Sequence, residues 1–276
     1  MNNFARHYVA TDADRRNRYQ NPDFKIKKLL RKFQNSKFGF YCPKKVSALF
    51  FNKAVRRMAD TRQFSLDPIF ARCLFGEKLI LSVPTQIIQR HTNPWLTLFG
   101  KNYCIQDYFL CDAQLDGVAG EISNLFTIRE AEELIALGWD YRKAECYQNY
   151  RIALKANKLI RRQNVLLDSI EKIDQYFEKF KALHDSIKKH GLVSSNSNSS
   201  IKKSILTQRN IGVAIDQNGT LIKLSNGKHR YALAHALNLP FIPVEINMVH
   251  CGLLQDTDSC VDPYNKMYRL LDSGFW

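Results

Sequence analysis

The segment from Ile211 to Ile246, "IGVAIDQNGTLIKLSNGKHRYALAHALNLPFIPVEI", constrains the fold most strongly. Two β-branched, strand-like runs, "IGVAID" and "TLIKL", flank Asn218-Gly219. An Asn-Gly between two such runs is the signature of a tight hairpin. A second tight turn, Ser225-Asn226-Gly227-Lys228, then feeds an Ala-rich helix starting near His229. Asn238 is placed for a left-handed cap, Pro240 stops the helix, and "FIPVEI" returns as a strand. The predicted order is strand, hairpin, strand, turn, helix, strand.

The chemistry of this segment lies at its second turn. A helix start offers unpaired backbone N–H groups and the positive end of the helix dipole, so it attracts anions. Gly227 allows a ligand to approach the backbone closely. Lys228, His229 and Arg230 add charge and directed donors. These residues form a candidate phosphate cradle; the competing reading is a tight turn carrying surface cations.

Upstream, "DSIEKIDQYFEKFKALHDSIKKHGL" repeats Ile170, Ile173, Phe177, Phe180, His184 and Ile187 at alternating spacings of about three and four. That pattern predicts one long amphipathic helix, with Asp168 and Glu171 as its capping pair, Gly191 as its stop and His184 as a packed core residue. "TIREAEELIALG" predicts another helix, with Thr127 and Glu130 as a capping box. A third is expected over about 143–163, with Lys155, Lys158, Arg161 and Arg162 on a basic side. "KLILSVP" reads as a strand, "FKIKKLLRKF" as an amphipathic basic helix and "VSSNSNSS" as a surface loop.

The net charge is +15, and 16 Lys and Arg against 4 Asp and Glu from Met1 to Arg62 place 16 − 4 = +12 there. That excess suits nucleic acid, anionic lipid headgroups or a phosphorylated substrate, and equally a solvated basic surface. The seven cysteines contain no C-x-x-C pair, so spacing supports neither a zinc site nor a disulfide framework. Scattered thiols, the lack of an apolar leader and the lack of a membrane-length apolar run give the expectation of a cytoplasmic protein, with contact at the inner face of the membrane left open.

"NGKHRYALAHALNLPFIPVEI", with the preceding hairpin and the "SIKKHGL" helix end, resembles the ParB/sulfiredoxin superfamily over about Asp168 to His250. The resemblance implies an α+β fold, a small mixed sheet with flanking helices. It spans a domain at 166–276, attached to a basic, mainly helical region at 1–165. It also implies that Gly227, Lys228, His229 and Arg230 hold nucleotide phosphates, with Asn226 as the turn neighbour. Sulfiredoxins place a cysteine directly before the His-Arg pair, and this chain has Lys228 there, so sulfinic-acid reduction is not expected. ParB proteins carry Gly-Glu-Arg-Arg in this turn and a downstream helix-turn-helix domain, for which the residues after His250 leave no room.

The resulting expectation is a kinase-like phosphotransferase using ATP and Mg²⁺ on a small-molecule or glycan-linked hydroxyl, as in surface-polysaccharide synthesis. Lys228 and Arg230 would neutralise phosphate and His229 would donate a hydrogen bond. Asp112, Asp116 and Glu121, with Asp107 beside them, are the candidate catalytic carboxylates. Asp216 reads as a turn residue, and Glu245 and His250 as groups facing either the site or solvent. The alternative is a ParB-like nucleic-acid-binding protein, perhaps a nuclease, working through the basic N-terminal region.

Overall fold

The computed structural model describes residues 44–61, 64–92, 95–98, 101–104, 108–158, 160–162, 165–192, 210–255 and 261–273. The expected basic helix at 24–33, Asp107 and the Ser/Asn loop at 193–200 lie outside the described residues.

The chain forms a mixed α+β structure. In order it runs α1 (Lys44–Thr61), β1 (Phe64–Ser65), α2 (Pro68–Phe75), β2 (Ile80–Pro84), β3 (Arg90–His91), β4 (Trp95–Leu98), β5 (Lys101–Cys104), β6 (Leu110–Cys111) and β7 (Gly120–Glu121). There follow α3 (Phe126–Ala136), α4 (Glu145–Lys155), β8 (Ile160–Arg162), β9 (Val165–Leu167), α5 (Ile170–His190), β10 (Ile211–Ile215), β11 (Leu221–Lys223), α6 (Lys228–Ala236), β12 (Phe241–His250) and α7 (Pro263–Asp272).

The main sheet has the order β1-β6-β12-β10-β11-β3-β7, with β2 pairing β12 beside this path. β12 runs parallel to both β10 and β6 and antiparallel to β2. Strands from both sides of residue 165 therefore enter one sheet. β10 and β12 are joined by α6, the helical crossover that a parallel pair requires.

The predicted local signals are largely present. β10 and β11 pair antiparallel across the Asn218-Gly219 turn, which Asp216 Oδ1 closes by accepting from Asn218 and Thr220 N–H at 2.8 Å each. Gly191 caps α5 with φ +69°, and Asn238 follows α6 at φ +52°. His184 is buried against Trp139, with ring centroids 4.8 Å apart.

Other boundaries differ. The N-cap of α5 is Ser169, whose hydroxyl accepts from Lys172 N–H, while Asp168 pairs with the Lys172 ammonium. Ile170 is exposed, and Tyr176 joins Ile173, Phe177, Phe180, His184 and Ile187 on the buried stripe. The helix expected over 143–163 is α4 alone. The chain turns out of it at Asn157, φ +53°, and Arg162 lies on a strand, buried.

Most of the core lies on one face of the sheet. Ile211, Val213, Ile215, Val244 and Ile246 pack there with Tyr231, Phe177 and Phe180 from the helices. The other face carries a small cluster of Ala214, Ile222, Leu224, Met248, Cys111 and Leu115. The β10–β12 register shifts between Val213 and Ala214, which pair with Ile246 and Met248, leaving Asn247 as the bulged residue.

The turn before α6 is fixed by two residues. Gly227 adopts φ +66°, and a Cβ there would lie 2.8 Å from the Asn210 carbonyl oxygen and 2.9 Å from Ile211 Cα. Both obstacles are backbone, so they cannot swing aside. Lys223 is buried, and its ammonium donates to the carbonyls of Leu224, Asn226 and, at 3.5 Å, Gly212. Burial, and after it the Lys228 charge, lowers its pKa to about 7. The Gly212 and Asn226 carbonyls also accept from the backbone N–H of Leu224 and Gly212, so the Lys223 ammonium adds a second donor to each and ties the turn to the hairpin.

Gly227→Ala is expected to destabilise the fold by about 2–3 kcal/mol, from the strained backbone angle and the backbone clash together. Urea unfolding measures this as a lower midpoint at unchanged slope. A loss under about 0.5 kcal/mol would show that the turn tolerates a side chain.

Candidate functional site

The start of α6 rests on a buried polar network centred on Glu130. The predicted capping box does not form: α3 begins after Leu125, which gives no side-chain cap, and Thr127 and Glu130 both face inward. Glu130 Oε1 accepts from the Tyr150 hydroxyl and Oε2 from the Tyr176 hydroxyl, each at 2.8 Å. Arg162 Nε donates to Tyr150 Oη at 2.6 Å, and His229 Nε2 lies 3.0 Å from Tyr176 Oη.

One arrangement of protons satisfies these contacts. Each tyrosine gives its only O–H to Glu130 and accepts from the group behind it. Arg162 and His229 are thus outer donors, and Glu130 is the acceptor at the centre. The Arg162 guanidinium also lies over the Phe126 and Tyr150 rings, 4.5 and 5.3 Å from their centroids.

Burial raises the Glu130 pKa, while the charge of Arg162 and the two tyrosine hydrogen bonds oppose the rise. The His229 pKa falls to about 3, first from burial and then from the charges of Lys228 and Arg162. His229 is therefore a neutral imidazole whose Nε2–H is committed to Tyr176.

Lys228, the first residue of α6, is half-buried, and its pKa is lowered by burial and then by Arg162, with Glu130 opposing. Among the described residues no carboxylate lies within ion-pair distance of its ammonium. Its N-cap is Gly227, which supplies no side-chain cap to the first helical amides. Arg230 is half-buried, and burial lowers its pKa.

A second polar group lies on the sheet side of the turn. Arg72 Nε pairs with Glu245 Oε1 at 2.5 Å, and Asn210 donates to Glu245 Oε2 at 3.2 Å. Arg72 Nη2 also reaches Asn247 Oδ1 at 3.4 Å. Gly212 leaves room for this group, since a Cβ there would lie 2.5 Å from Asn247 Nδ2. Asn210 connects the two sides, with its carbonyl against Gly227 and its amide on Glu245.

Comparison with protein-family models, with curated proteins and with solved structures returns no match. The reading of this site therefore rests on its own geometry.

The fold gathers Asn226, Gly227, Lys228, His229 and Arg230 at one turn, but gives them different environments. His229 points into the core network, and Lys228 lies beside Arg162. The candidate acids are dispersed. Asp112 follows β6, and Asp116 lies in the short 3₁₀ turn Leu115–Gly117. Glu121 is exposed on β7, with four strands between it and β6 in the sheet order. Gly212 pairs with Glu245, and Cys111 with His250 five positions further along β12. At about 3.3 Å per residue, this sets Asp112 roughly 16 Å along the strand from the turn.

The sequence reading missed Glu130, Tyr150, Tyr176, Arg162 and Arg72. Only Tyr176 carried a usable signal, since it lies next to Phe177 on the predicted apolar stripe of α5.

Holding His229 neutral makes the fold acid-sensitive. The unfolded histidine titrates near 6.5 and the folded one at about 3. Below pH 6.5 the unfolded state binds the extra proton, and stability falls with pH. From pH 7 to pH 4 this amounts to about 3 kcal/mol. His229→Gln keeps an N–H donor for Tyr176 without that titration. Denaturant unfolding across this range should show the stability gap between wild type and variant moving by about 3 kcal/mol in the variant's favour. A gap that stays constant would mean that His229 takes up its proton over the same pH range in the folded and unfolded states.

Proposed function

We propose that the turn Asn226–Arg230 binds the phosphates of a nucleotide. On this reading the protein is a nucleotide-dependent phosphotransferase, with a small-molecule or glycan-linked hydroxyl as acceptor, built on a ParB/sulfiredoxin-like domain. The observation that carries the proposal is Lys228. This half-buried lysine stands at an uncapped helix start beside Arg162, with no ion-pair partner among the described residues. Two cations share the charge of one carboxylate, Glu130. A phosphate group would supply the missing negative charge and accept from the first-turn amides.

The division of labour differs from the simplest expectation. Lys228 and the α6 amides meet the phosphate, and Arg230 lies one residue beyond the network. His229 holds the helix start in place through Tyr176. ATP is the nucleotide expected from the resemblance. The carboxylates beside the turn are already engaged, Glu130 by two tyrosines and Glu245 by Arg72 and Asn210. Mg²⁺ therefore fits this site as an ion carried mainly by the nucleotide phosphates and water. Among the described residues, no helix is long and apolar enough to cross a membrane.

Thermal-shift and calorimetric titrations with ATP, ADP, CTP and GTP, with and without Mg²⁺, test the reading. A nucleotide at 100 times its Kd should stabilise the protein by about 2.7 kcal/mol. Lys228→Gln should weaken binding at least ~10-fold, the loss expected when one charge-assisted contact is removed. Affinity should fall as pH rises through the lowered Lys228 pKa, because the neutral amine no longer attracts the anion. Absence of binding by every nucleotide, or equal affinity in the variant, would rule the reading out. A shift produced instead by duplex or single-stranded nucleic acid, steeply weakened by salt, would favour the nucleic-acid alternative.

A further inference from the structure

A second site stands at the other end of the parallel strands. β6, β10 and β12 run in one direction, and their carboxyl ends bring Asp112, Asp216, His250 and Cys251 to one edge. In open α/β sheets this is the edge where functional groups collect. We propose that Asp112, His250 and Cys251 form a binding site for a divalent metal ion of the zinc class.

Three observations support it. First, one ligand atom from each residue, a carboxylate oxygen, a ring nitrogen and Sγ, lies within 4.8 Å of the other two. Ligands around a tetrahedral zinc ion stand about 3.3–3.6 Å apart. The Cys251 thiol already donates to Asp112 Oδ1 at 3.0 Å, so that pair needs only a small opening to admit an ion.

Second, the positions are held by the fold. His250 ends β12, and Cys251 opens the short 3₁₀ turn that follows. Asp112 is brought from 139 residues away by the β6–β12 pairing. His250 and Cys251 are buried, whereas Asp112 is exposed and opens the site to solvent.

Third, the donor set is selective. Thiolate, imidazole and carboxylate together suit Zn²⁺ or Co²⁺, whereas Mg²⁺ prefers oxygen ligands throughout. Asp216, on the neighbouring strand end, adds negative charge felt by His250. Three protein ligands would leave a fourth position for water or substrate, the pattern of zinc sites that do chemistry.

Loading has a defined balance. The metal replaces the Cys251 thiol proton, which leaves to solvent, and takes a lone pair from the imidazole. At present Gly252 N–H donates to His250 Nδ1 at 3.1 Å, so Nε2 carries the ring proton. Coordination needs a ring nitrogen freed by turning the ring over or by releasing this amide. On either route the Gly252 amide loses its acceptor, which gives the site a reporter that another thiol would not share.

Co²⁺ titration of the full chain, followed by absorbance, is the direct test. The expected result is a saturable 1:1 signal with a thiolate-to-cobalt charge-transfer band and a shift of the Gly252 amide resonance on adding Zn²⁺. Cys251→Ser should abolish the band. Asp112→Asn, at an exposed position, should weaken binding at least 10-fold while leaving the circular dichroism unchanged. Absence of a saturable band, a band that persists in Cys251→Ser, or an unmoved Gly252 amide would overturn the proposal. Each of these readouts is independent of nucleotide binding at the α6 turn.

Discussion

A buried carboxylate organises the helical side of this protein. Glu130 is buried away from bulk solvent, and the fold compensates with hydrogen bonds from two tyrosines that are themselves donated to by Arg162 and His229. Such a network is stabilising only when every member is satisfied. Its members come from α3, α4, β8, α5 and α6, so satisfying it fixes how those elements meet. The start of α6 is consequently seated against a charged core, not an apolar one.

That seating gives the turn its functional interest. The sheet side is rigid: Gly227 stands on the backbone of Asn210 and Ile211, and the Lys223 ammonium gathers the turn carbonyls. The helical side leaves Lys228 beside Arg162 with too little negative charge between them. On the proposed reading, a phosphate would relieve that imbalance. Arg72 and Glu245 neutralise one another on the opposite side and add no net charge to it.

The sequence was most informative where structure is decided locally. The Asn218-Gly219 hairpin, the Gly191 and Asn238 helix ends and the "KLILSVP" strand follow from backbone preferences of a few adjacent residues. The Thr127–Glu130 box failed because its spacing also describes two positions on the inward face of a helix, and here burial prevailed. Arg162 looked like part of a solvated basic run, because its aromatic partners and Glu130 lie 12 or more residues away. The grouping of Asp112 with His250 and Cys251 was equally invisible, since strand pairing and not spacing brings them together. The glycine, asparagine and cations of the α6 turn were legible as a group. Their separate environments were not, because each is set by a different distant element.

Glu130 and Arg162 act as parts of one buried network, linked through Tyr150. A double-mutant cycle with Glu130→Gln and Arg162→Met, followed by urea unfolding, measures this directly. The two losses should overlap, with a coupling energy of about 2 kcal/mol, because either change alone leaves a buried partner unsatisfied. Losses that add within about 0.5 kcal/mol would contradict it, and would mean that the two residues occupy the core independently.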